Sequence, residues 1–122
     1  MNIAVSSTTK TLEGDIDQRF GRCHYFLIID SETLEFTVID NESAMTSGGA
    51  GIKAAETIVQ SNAEVVITGN IGPNAFQILS AGNITMYTGV SGGIKKSISQ
   101  YNQGKLQETT HATVGSHAGM NR

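Results

Sequence analysis

The stretch Ala50-Gly51-Ile52-Lys53-Ala54-Ala55-Glu56-Thr57-Ile58-Val59-Gln60-Ser61, followed by Glu64-Val65-Val66-Ile67-Thr68, decides the fold class. Ile52, Ala55, Ile58 and Val59 recur at helical spacing and predict a helix over 50–61. Glu64 to Thr68 is a short apolar run that predicts a buried strand. The same alternation continues toward the carboxyl end. Pro73 opens a second helix, with Ala75, Phe76 and Leu79 inward and Gly82 as its C′ stop. Ile84 to Tyr87 is a strand, and Ile94, Ile98 and Tyr101 mark a third helix ended by Gly104. Helix, strand, helix, strand, helix implies parallel strands joined by helical crossovers.

Working outward toward the amino end, the pattern differs. Ile3-Ala4-Val5 predicts a buried leading strand, and Ser6 to Arg22 a polar loop. His24 to Ile29 and Leu34 to Ile39, joined by the polar link Asp30 to Thr33, predict an antiparallel hairpin. The sum is an α/β fold with a mixed sheet of about five strands. The final residues, 108–122, lack a hydrophobic period and carry His111 and His117; they are expected to form a flexible tail.

Composition narrows the function. The chain has 122 residues, one domain's length. Net charge is −3, which argues against a nucleic-acid partner held by phosphate contacts. A single cysteine, Cys23, excludes an intramolecular disulfide and a four-cysteine metal site built from one chain. No apolar run approaches the ~20 residues of a membrane helix. Met1 to Val5 lacks the charged and apolar regions of a signal peptide, so the expected location is the cytoplasm.

Glycine is abundant, at 14 residues, and its placement is informative. Three glycine-rich segments precede helices: Ser47-Gly48-Gly49-Ala50-Gly51, Thr68-Gly69-Asn70-Ile71-Gly72, and Thr88 to Gly93 with Gly92-Gly93 at its end. Helix N-termini present unpaired N–H groups and a partial positive charge, so these turns suit an anion. The plainer alternative is that the glycines only permit tight strand-to-helix turns. No segment is a P-loop or a dinucleotide fingerprint.

A second constellation spans Gly14 to His24. Arg19 and Arg22 supply positive charge, and Cys23 and His24 are metal-ligand types. Adjacent strand residues point to opposite faces, which opposes one metal shared by Cys23 and His24 unless the backbone is irregular. Cys23 as a small buried residue and His24 as a strand-edge polar residue is the competing reading.

The run Asp17-Gln18-Arg19-Phe20-Gly21-Arg22-Cys23, then Tyr25-Phe26, Asn41, Gly48 to Gly51, Ile71-Gly72-Pro73-Asn74-Ala75 and Tyr101 with Gly104-Lys105-Leu106, resembles the dinitrogenase iron–molybdenum cofactor biosynthesis family over about residues 1–107. The resemblance implies a ribonuclease H-like three-layer fold. It implies a small non-enzymatic carrier or assembly factor for an anionic iron–sulfur or iron–molybdenum–sulfur cluster, with donor and acceptor proteins as partners. In several carrier members a histidine precedes the Phe-Gly pair; here that position is Arg19. The candidate cluster-binding residues are Arg19, Arg22, Gly48, Gly49, Gly69, Asn70, Gly72, Gly92 and Gly93, with Cys23 and His24 as candidate metal ligands. The alternative is a regulatory or scaffold domain binding a small anion or nucleotide at the same turns. A nuclease of this fold needs acids on central strands to hold metal ions. Val5-Ser6-Ser7 and Val65 to Thr68 offer none.

Overall fold

The computed structural model describes residues 1–42 and 48–114. Five strands, β1 (Asn2–Ser7), β2 (Tyr25–Asp30), β3 (Phe36–Asp40), β4 (Val65–Ile67) and β5 (Thr85–Tyr87), form one sheet in the order β3-β2-β1-β4-β5. β1 pairs antiparallel with β2, and β2 antiparallel with β3. β4 pairs parallel with β1 on one side and with β5 on the other. The hairpin and the crossover half therefore stand as the sequence predicts, in one mixed sheet.

Helices α1 (Ala50–Gln60), α2 (Pro73–Ala81) and α3 (Ile94–Asn102) cover the two faces. Alternation along each strand divides the apolar residues between two cores. Ala4, Phe26, Val66 and Met86 pack with Ala54, Ala55 and Ile58 of α1 and Ala75 and Leu79 of α2. Ile3, Val5, Leu27, Val65 and Ile67 pack with Leu12 and Ile16 of the first loop and Ile94 and Ile98 of α3. This is the expected three-layer arrangement. The Asp30 carboxylate accepts the Glu32 and Thr33 N–H groups in the hairpin turn, which also holds this carboxyl below its usual range.

Helix ends differ from expectation at one point. Gly104 has φ 70 and ends α3 as predicted, but Gly82 has φ −85 and the left-handed position after α2 falls to Asn83, φ 61. Space is tight at Gly82: a Cβ there would stand 3.0 Å from Val59 Cγ2, and the Val59 side chain would have to give way. Among the described residues no helix is long and apolar enough to cross a membrane.

Candidate functional site

The loop from Asp15 to Cys23 is pinned by its backbone. Buried Asp17 accepts the Arg19 N–H at 2.9 Å. Ser6 Oγ donates to the Asp17 carbonyl at 2.7 Å and meets Thr68 Oγ1 at 2.7 Å. Asn70 accepts from Phe20 and donates to Gln18, so this loop pairs with the β4–α2 turn. Gly69 is required there, because a Cβ would stand 2.6 Å from Gln18 Cα.

Beyond Phe20 the loop meets α1. A Cβ on Gly21 would lie 2.8 Å from both Cα and N of Gly51, so the two backbones touch. Buried Asn41 fixes the far side of this contact. Its Nδ2 donates to the carbonyls of Gly21, 3.2 Å, and Cys23, 2.9 Å.

Next to this contact opens a cleft of about 340 Å³, lined by Phe20 to Arg22, by Gly49, Gly51 and Ile52, and by Gly72 to Ala75. The first turns of α1 and α2 both face it. Gly49 is the N-cap of α1 and Gly72 that of α2; among the described residues neither helix has a side-chain cap hydrogen bond or an acid in its first turn. Gly49 has φ 77, a conformation that glycine adopts without strain. Among the described residues the lining side chains include Arg22 and no carboxylate. Two helix dipoles and a guanidinium thus supply positive potential to one small volume.

The predicted residues separate into groups. Gly49, Gly72 and Arg22 line the cleft, and exposed Gly48 directly precedes Gly49. Gly69 and Asn70 belong to the wall behind Phe20. Gly92 and Gly93 lead into α3, whose side chains pack on the opposite face of the sheet. There the first α3 amide, Ile94 N–H, is taken by the Gly14 carbonyl at 3.0 Å, and Gly92 accepts from Ile16. The α3 turn therefore lies apart from the cleft, and its first amide is already taken by the 14–16 segment.

Arg19 is exposed and lies 3.4 Å from Asp17; it does not line the cleft. His24 is exposed, with Nδ1 3.8 Å from Glu42 Oε2. Cys23 is fully buried, and its Sγ donates to the Phe20 carbonyl at 3.3 Å. Burial, with the Asp17 charge adding, pushes this thiol up to about 12. The strand expected from His24 begins at Tyr25, so Cys23 and His24 lie in the irregular segment before β2, where Cys23 is buried and His24 exposed; a protonated, enclosed thiol is a poor metal ligand. Among the described residues no group of three or more histidine, cysteine or acidic side chains could hold a metal ion. His117 and Ser47 lie outside the described residues. His111 is exposed beside Thr110.

Sequence reasoning missed the lining residues Ile52, Pro73 and Asn74 as a set, and the Gly21–Gly51 contact. Gly21 and Gly51 are visible in the sequence as glycines, but nothing local pairs residues thirty positions apart.

The solved structures that superimpose on this fold include the apo form of the orange protein from Desulfovibrio gigas, with TM-score 0.89 and 32% identity over 92% of this chain and 95% of that one. A Thermotoga protein provisionally described as NifB gives TM-score 0.75 and 30% identity over 92% and 97% of the two chains. An uncharacterized protein of Methanocaldococcus jannaschii is 28% identical over 96 residues, 76% of this chain and 81% of its own. The sequence model described as dinitrogenase iron–molybdenum cofactor matches residues 1–104, and the chain belongs to that family.

Proposed function

We propose that this chain is a small carrier or assembly factor that binds an anionic metal–sulfur cluster, of iron–sulfur or iron–molybdenum type, in the cleft between α1 and α2. The observation that carries the reading is the pair of helix N-termini, each with a glycine N-cap, facing one cleft that Arg22 lines and that holds no carboxylate among the described residues. Backbone N–H groups would donate to the sulfides and Arg22 would balance charge; hydrogen bonds to cluster sulfurs are an established way for a protein to tune such a group. Cys23 would shape the wall rather than ligate. Family membership supports the cargo class, and similarity to a protein solved in an apo form agrees with a site that fills and empties. Delivery requires donor and acceptor proteins, and a free buried cysteine is in keeping with the cytoplasm.

The test is anaerobic expression with iron and molybdenum supplied, followed by counts of iron, molybdenum, copper and acid-labile sulfide per chain. Stoichiometric metal with sulfide, lost on Arg22→Gln, is the expected result. A metal-free protein that also refuses tetrathiomolybdate and a supplied iron–sulfur cluster overturns it. The second reading, a regulatory or scaffold domain for a small anion or nucleotide, uses the same two N-termini. Thermal stabilisation by phosphate or a nucleotide, with none by a metal–sulfur anion, would favour it.

A further inference from the structure

Residues 107–114 lie wholly beyond the part of the chain that the family model matches. They are nonetheless tied to the body at two places. At the first, Glu108 bridges Tyr87 and the Thr109 N–H donates to the Met86 carbonyl at 2.7 Å, which covers the edge of β5. Thr109 Oγ1 also accepts the Thr88 N–H at 2.9 Å and meets the Thr88 hydroxyl at 2.7 Å.

The second tie is at buried Ile71, the residue before the N-cap of α2. Thr113 Oγ1 accepts the Ile71 N–H at 2.9 Å, and the Ile71 carbonyl accepts from the Thr113 N–H at 3.0 Å. One residue thus satisfies both polar groups of the Ile71 backbone. On its other side Asn70 holds Phe20, which forms the opposite cleft wall. Pro73 has no N–H, so the first α2 residue offers no backbone donor at this junction.

We propose that Thr113 is a positioning residue for the cleft: the strap 107–114 holds the Ile71–Gly72 junction, and through it the first turn of α2, against the Phe20 wall. This rests on the carrier reading for its effect on cargo, but not for its effect on the backbone. Removing the hydroxyl leaves the N–H of buried Ile71 without its partner at a part-buried position, a cost that local opening relieves.

The experiment compares wild type, Thr113→Val and Thr113→Ser by amide hydrogen exchange and by titration with tetrathiomolybdate. Exchange at Ile71 is expected to quicken about tenfold in Thr113→Val, the equivalent of about 1.4 kcal/mol of local protection. Tetrathiomolybdate affinity should fall several-fold, and Thr113→Ser should restore both. A merely structural contact would lower the unfolding midpoint without changing the affinity of the folded protein. Unchanged Ile71 exchange overturns the inference, as does faster exchange with wild-type affinity. Failure of wild type to bind any metal–sulfur anion overturns the carrier reading and the cargo half of this one; Ile71 exchange then decides the backbone half alone.

Discussion

Gly21 and Gly51 meet backbone to backbone, and their contact joins the Phe20 loop to the first turn of α1. The requirement is one-sided. A Cβ on Gly21 would collide with backbone at 2.8 Å, whereas among the described residues a Cβ on Gly51 would meet only the Ala75 Cβ, at an ordinary 3.7 Å. Gly21→Ala is therefore expected to destabilise by about 1–3 kcal/mol, the range for overpacking, and to abolish anion binding by spreading the cleft walls. Gly51→Ala should fold with near-normal stability. Urea unfolding of the two variants side by side checks the asymmetry; equal midpoints would remove the contact from the argument.

Asn41 holds the other side of that loop. Asn41→Ala leaves the Gly21 and Cys23 carbonyls without their side-chain donor, at about 1–3 kcal/mol for a buried unsatisfied group. Asn41→Asp is expected to be worse, because a carboxylate facing two carbonyls donates nothing. The urea midpoints should rank wild type, Ala, Asp in falling order at pH 7.

The two arginines are predicted to differ. Arg22 lines the cleft, while Arg19 is 64% exposed beside Asp17. Arg22→Gln should weaken tetrathiomolybdate binding at least several-fold and flatten its salt dependence, as loss of a charge contact does. Arg19→Gln should leave affinity within twofold. Calorimetric titration at two ionic strengths reads both, and equal losses would show that the guanidinium in the lining has no special role.

Cys23 sets an alkaline limit. Burial holds the folded thiol protonated up to about 12, while the unfolded thiol titrates near ~8.5. A raised folded value contributes stability that is fully present below the unfolded value and is lost as pH rises toward the folded one. Between pH 8 and pH 11 the unfolding free energy of wild type should fall more steeply than that of Cys23→Ala. In the same range the native thiol should react slowly with iodoacetamide and the urea-unfolded thiol quickly. Parallel pH profiles for the two proteins would show that burial is not what governs this thiol.

The sequence by itself determined the layers. Apolar residues at helical period in 50–61 and after Pro73, and short β-branched runs such as Val65 to Ile67, dictate elements that can bury their apolar faces only against one mixed sheet. It also singled out Gly49, Gly72 and Arg22, because a glycine before a helix and a charged residue in a loop are local signals. What only the tertiary structure decided is which of those signals share a space. The α3 N-terminus carries the same glycines as the others, yet Gly14 satisfies its first amide. Cys23 and His24 are neighbours in the chain but face core and solvent. Gly21 reaches Gly51, and Thr113 reaches Ile71, across separations that no periodicity encodes. Period and propensity act over a few residues, whereas a site is made by contacts between segments, and those follow from the order and direction in which the strands pair.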